Sequence, residues 1–201
     1  MPEITKITRR RGEALIKLSD GSALRVPSAM TYHFGLRKGA DIRPEVLLKR
    51  LETEALPFAL GEIVRMQARR DHSSGEIARA LRDRGYPEET AAAALEQLTA
   101  AGIVDDRRFG EILVHRRQRQ RGRTAMRQEM RGKGLDQETI ERSLERLSDD
   151  EEYGAAVSRA RKMAQRGIGE IKIAAALQRR GYGGALIRRV LSDIGTKPEE
   201  E

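Results

Sequence analysis

Three glycines, Gly85, Gly134 and Gly181, each close a basic, apolar-striped segment and stand 49 and 47 residues apart. Apolar residues recur around them in register. Eight positions before each glycine stand Ile77, Met126 and Ile173; four before it, Leu81, Met130 and Leu177. Six after it stand Ala91, Ile140 and Ile187; ten after it, Leu95, Leu144 and Leu191; thirteen after it, Leu98, Leu147 and Ile194. Self-similarity at this period is the mark of a repeat array, in which each supersecondary unit buries its apolar face against the next. Such an array builds surface rather than an enclosed pocket, and surface serves binding more readily than chemistry.

The repeats read as helix throughout. Their first helices carry i, i+3, i+4 stripes: Leu60, Ile63, Val64; Phe109, Ile112, Leu113; Tyr153, Ala156, Val157, Ala160. Their second helices stop at the marker glycines, which suit the left-handed C′ position, with cations in the last turn where the helix dipole favours them. Ahead of the repeats, residues 13–18 and 22–26 alternate apolar and polar around a Ser19-Asp20-Gly21 turn, and residues 4–8 supply a third strand. Ser28 is expected to cap a short helix running to Phe34, and Pro44 to open another carrying Val46, Leu47 and Leu51. The expected fold is therefore mainly α: a tandem array of three three-helix, helix-turn-helix-like repeats behind a small N-terminal β-hairpin or three-stranded region. The boundaries are 1–56 for the N-terminal region, 57–104, 105–148 and 149–195 for the repeats, and 196–201 for a disordered acidic tail.

Composition agrees with thin helical interfaces rather than one thick core: 38% of the 201 residues are hydrophobic, 3% aromatic, and none is Trp. The formal net charge of +8 favours polyanionic partners. No apolar run approaches the roughly 18 residues that span a bilayer. The N-terminal MPEITKITRRR lacks the apolar core of a signal peptide. With no Cys there is no disulfide, thiol nucleophile or thiolate metal site. A cytoplasmic protein without cofactor or membrane partner is expected, working as a monomer.

Catalytic motifs are weak. Asp105-Asp106 and Asp149-Asp150 sit just before helices at repeat junctions, where Asp caps free backbone amides, so capping is the preferred reading of both pairs. His33, His72 and His115 lie in three separate segments without ligand spacing. Gly181-Tyr182-Gly183-Gly184 and Gly167-Ile168-Gly169 follow no strand and lack the phosphate-loop form, which leaves them as turns. No enzymatic activity is expected.

The arginines carry the functional signal. Arg116, Arg117, Arg119, Arg121 and Arg123 fall within eight residues, Arg127 follows, and Arg161, Lys162, Arg166 and Lys172 continue the series in the third repeat. From residue 157 to 191 only Glu170 is acidic, so local partners are few. Unpaired like charge destabilises a compact state by self-repulsion, which favours a binding surface over a merely solvated face. With aromatics scarce, nucleic-acid contact would go mainly to phosphate.

The stretch HSSGEIARALRDRGYPEET…LEQLTAAGIVDDRRFGEILV, and RRQRQRGRTAMRQEMRGKGLDQETIERSLERL in the second repeat, resemble the RecX regulatory proteins. The resemblance covers about residues 4–195 and is firmest over about 61–147; in the third repeat GIGEIKIAAALQRRGY replaces the usual form. It implies three tandem three-helix repeats behind an N-terminal β-hairpin region. It implies a partner, the RecA recombinase filament on single-stranded DNA, which RecX proteins bind along its groove. There they oppose its extension, favour its disassembly, and lower its ATP hydrolysis and strand exchange. The ten cations named above are then the candidate contact residues, with the phosphate backbone of single- or double-stranded DNA as a further partner. The alternative reading is a direct DNA-binding or architectural protein using basic helix-turn-helix-like repeats.

Overall fold

The computed structural model describes residues 1–195; the acidic tail expected at 196–201 lies outside the described residues. The chain divides into two compact units, Met1–Asp105 and Asp106–Glu201.

The first unit opens with three antiparallel strands, β1 (Ile4–Arg10), β2 (Glu13–Leu18) and β3 (Ala23–Pro27), in the order β1-β2-β3. Strand β2 shows why the sequence folds this way. Its alternation places Ala14, Ile16 and Leu18 in the core and leaves Lys17 exposed, as the two-residue period of a strand demands. Arg11 and Gly12 turn between β1 and β2 with φ of 53° and 88°, the left-handed pair of a tight hairpin. A sheet this small is marginal alone. Here it shares one core with the helices that follow: Ile16, Val26 and Met30 belong to the same cluster as Leu51, Ile63, Ile77 and Leu81.

Those helices are α1 (Pro44–Glu54), α2 (Leu56–Arg69), α3 (Ser74–Asp83) and α4 (Glu88–Ala100). A capping box starts α3: the Glu76 amide donates to the Ser73 hydroxyl, and the Ser73 amide donates to the Glu76 carboxylate. Gly85 closes it at φ +85°. A Cβ there would also lie 3.2 Å from the backbone of Val26, so the turn that ends α3 packs directly on β3.

The second unit holds α5 (Asp106–Arg117), α6 (Arg123–Gly132), α7 (Gln137–Glu145), α8 (Asp149–Ala164), α9 (Glu170–Arg179) and α10 (Gly184–Gly195). Two clusters form its core. One joins Phe109, Leu113, Met126, Met130, Ile140 and Leu144; the other joins Ala156, Val157, Ile173, Leu177, Ile187 and Val190. The register residues eight before, four before and six after each marker glycine are buried in all three repeats, and Gly134 and Gly181 take φ of 86° and 81°. The repeat signal thus reports a recurring core position and a recurring backbone turn.

Three local expectations change. Ser28 caps no helix: it begins a single 3-10 turn, Ser28–Met30, and its side chain makes no cap bond. Its amide donates to the Gly12 carbonyl and its carbonyl accepts from Thr31, so the segment is tied to the β1–β2 turn and stops. Val64 leaves the apolar stripe of α2 and is 46% exposed; the buried stripe is Ala59, Ile63 and Met66. Asp149 and Asp150 are not the cap of α8. Ser148 is, in a capping box with Glu151, and the two aspartates fill the first turn, where the helix dipole favours anions.

Candidate partner-binding surface

The candidate cations cluster where α5 hands over to α6. Helix α5 ends at Arg117, and residues 118–122 form a turn in which the Gln118, Gln120 and Arg121 amides reach back to the Val114 and Arg117 carbonyls. Gly122 then docks this turn on the third repeat. Its amide donates to the Arg180 carbonyl at 2.9 Å, and the Thr124 amide donates to the Gly181 carbonyl at 3.2 Å. A Cβ on Gly122 would fall 2.3 Å from the Gly181 carbonyl oxygen, and one on Gly181 would fall 2.3 Å from the Ala125 nitrogen. The two repeats therefore meet backbone to backbone at two glycines.

A buried acid completes the joint. Glu152 of α8 is only 5% exposed and accepts from the Arg123 amide at 2.8 Å. The Arg123 guanidinium lies 3.5 Å from the other Glu152 oxygen and also reaches Asp149 and the Leu147 carbonyl. A carboxylate this buried is tolerated because it is paired and hydrogen-bonded.

The arginine run therefore divides by role. Arg117 pairs with Glu129 at 3.0 Å, Arg123 with Asp149 and Glu152, and Arg127 with Glu141 through two parallel bonds of 2.8 Å. That last fork holds the Glu141 carboxyl below the usual carboxylate range. These three arginines join helices within the protein. Arg116, Arg119, Arg121, Arg161, Lys162, Arg166 and Lys172 are exposed and have no ion pair among the described residues.

Two clefts take four of the second group. In one, of about 650 Å³, Arg119 from the turn faces Arg159, Lys162 and Arg166 along α8 and just beyond it. In the other, Arg121 lies with Arg179 and Arg180 at the end of α9. Arg116, Arg161 and Lys172 line neither cleft. Arg159, Arg179 and Arg180, basic residues of the third repeat outside the ten candidates, join them in these clefts. Arg179 and Arg180 read in sequence as helix-end cations, and only the docking of Gly122 on Gly181 brings them beside Arg121. Arg159 has a further distinction: its Nε is buried without a hydrogen-bond partner, as is the Tyr182 hydroxyl. Burial raises the Tyr182 phenol above its ordinary value, with Arg159 opposing.

No group of His, Cys, Asp or Glu among the described residues is arranged to hold a metal ion. His33 instead bonds Glu54 at 2.6 Å and stacks near Phe34 and Phe58. No helix among the described residues is long and apolar enough to cross a membrane.

These features define a tandem three-helix repeat protein with a small antiparallel sheet at its N-terminal end and a cationic face on its later repeats. Comparison with known proteins makes that class specific. Residues 64–98 match the family profile described as the first three-helix domain of RecX, and residues 105–144 that of the second three-helix domain. A "Regulatory protein RecX" of Stenotrophomonas maltophilia is 37% identical over 148 residues, covering 70% of this chain and 88% of the relative. One of Thermobifida fusca is 31% identical over 163 residues, covering 77% and 84%. Among solved structures, a "Crystal structure of regulatory protein RecX" aligns over 96% of this chain and 100% of its own with a TM-score of 0.64 at 20% identity, a likeness of fold. The chain belongs to the RecX family.

Proposed function

We propose that this protein is a cytoplasmic regulator of homologous recombination that binds the RecA filament on single-stranded DNA, limits its extension, and lowers its ATP hydrolysis and strand exchange. Family membership supplies the partner. The observation that carries the reading is the set of exposed cations without ion pairs on the second and third repeats, of which Arg119, Arg121, Lys162 and Arg166 line two clefts. Charge left without internal partners costs stability unless an external anion meets it. The binding unit is a monomer and uses no cofactor.

The test is the DNA-dependent ATPase and strand exchange of the cognate recombinase, titrated with this protein. Progressive loss of both activities is expected. Full activity at saturating protein rejects the proposal. A DNA-binding architectural role is less well supported, since α7 presents Glu138, Glu141 and Glu145, an acidic set unsuited to a recognition helix in a groove of DNA. Tight, sequence-selective duplex binding without recombinase would promote that reading.

A further inference from the structure

The cleft along α8 has a pattern that a polyanion does not fit. Glu151, Gly154, Ser158 and Lys162 succeed one another at three- and four-residue steps, so one stripe of the helix, with Ala155 beside it, forms its wall over about 17 Å, and Arg166 follows just beyond the helix end. The middle of the stripe is small: a Cβ added at Gly154 would meet nothing within 4 Å. Half-buried Met163 adds apolar surface. Charge is divided along the length. Glu151 stands at the N-terminal end, where the Ser148 amide and hydroxyl keep it ionised. Arg159, Lys162 and Arg166 follow in the C-terminal half of the helix and just past it, and Arg119 lines the cleft from the α5–α6 turn. A nucleic-acid strand carries negative charge along its whole course, so it would meet Glu151 unfavourably and leave the small-residue floor uncovered.

We propose that this groove receives an amphipathic helix from a protein partner, with acidic residues set against Arg119, Arg159, Lys162 and Arg166 and small or apolar residues laid over Gly154, Ala155 and Met163. Close approach over small residues is what a helix-in-groove contact requires. The inference rests on the proposed function, which makes a recombinase protomer the source of the helix. It adds that the contact here is to protein, not to phosphate.

Two variants test it. Gly154→Leu fills the groove without changing charge, and it raises helix propensity at an exposed position, so folding is retained and a thermal melt verifies it. Lys162→Glu reverses one wall charge. Arg188→Glu, exposed on α10 outside the groove, is the charge-matched control. Each is titrated into the recombinase ATPase on single-stranded DNA, and separately into a labelled thymidine oligonucleotide without recombinase. Both groove variants should raise the concentration for half-inhibition about tenfold or more, while Gly154→Leu leaves oligonucleotide affinity within about twofold and the control matches the parent. Inhibition by Gly154→Leu at the parent's concentration overturns the groove while leaving the regulatory reading intact. Parallel loss of oligonucleotide affinity in Gly154→Leu also overturns it, making the cleft a phosphate site. Absence of inhibition by the parent protein overturns both.

Discussion

Gly122→Ala isolates the joint between the second and third repeats. The φ and ψ of Gly122, −79° and 166°, are open to any residue, so alanine there brings no intrinsic backbone strain. What it brings is a methyl 2.3 Å from the Gly181 carbonyl oxygen and 2.6 Å from the Tyr182 nitrogen. Ordinary contact needs at least a full ångström more, and both opposing atoms are backbone, so the α6 start must lift off the α9 turn. Two hydrogen bonds then break, Gly122 to Arg180 and Thr124 to Gly181. Each contributes about 0.5–1.5 kcal/mol net. Overpacking adds about 1–3 kcal/mol. The joint term is therefore about 2–6 kcal/mol. Gly169→Ala is the matched control. Gly169 is the N-cap of α9 as Gly122 is of α6, its φ and ψ are −67° and 156°, and a Cβ there meets nothing within 4 Å. It suffers only the poorer capping of alanine, about 1 kcal/mol at most. Urea unfolding followed by circular dichroism at 222 nm measures both. The Gly122 variant should lose several times more stability than the Gly169 variant, and equal midpoint shifts would refute the backbone-to-backbone joint.

Three further outcomes follow from particular residues. Leu144→Ala, at a position 3% exposed, should cost about 2–5 kcal/mol in the same unfolding assay, whereas exposed Arg121→Glu should leave the midpoint within about 0.5 kcal/mol and weaken recombinase binding, more visibly at low salt; equal destabilisation by the two would contradict the division between core and contact surface. Glu152→Ala strands the Arg123 amide, though the guanidinium keeps Asp149 and the Leu147 carbonyl, and should cost about 1–3 kcal/mol; an unchanged denaturation midpoint would show that the buried carboxylate holds nothing. Glu54, held first by Arg50 and then by His33, has its carboxyl drawn down to about 2, so the stability it lends is complete above the ordinary carboxylate value of 4.5 and is lost as pH falls toward about 2. Carboxyl NMR should show Arg50→Gln returning that titration toward 4.5, and an unmoved titration would contradict the assigned cause.

Much of this architecture was legible because it repeats. Three occurrences of one apolar register make the period visible, and the left-handed turn that only glycine adopts at ease marks each second helix with its own punctuation. Strand β2 was legible for the same reason at a shorter period. The short segment after β3 was not. Ser28 offers a hydroxyl at a plausible cap position, but its amide is taken by Gly12 across the sheet, a non-local bond that no propensity reports. The surface was half legible. A run of arginines can be counted, yet Arg117, Arg123 and Arg127 find their carboxylates 12 to 29 positions away, in helices whose packing brings them near. Glu152 alone offered a local clue, as an acid four residues ahead of Ala156 on an otherwise apolar stripe. Arg159 can be counted in the sequence among the third repeat's cations, but its buried nitrogen lacking a partner cannot.

On the proposed function, the cations around the α5–α6 turn and the second half of α8 face the recombinase filament. Hydrogen–deuterium exchange of this protein, alone and bound to filaments assembled on single-stranded DNA, tests it most directly. New protection is expected at residues 118–124 and 155–166. Protection confined to residues 1–105, with those two segments exchanging as in the free protein, would contradict it.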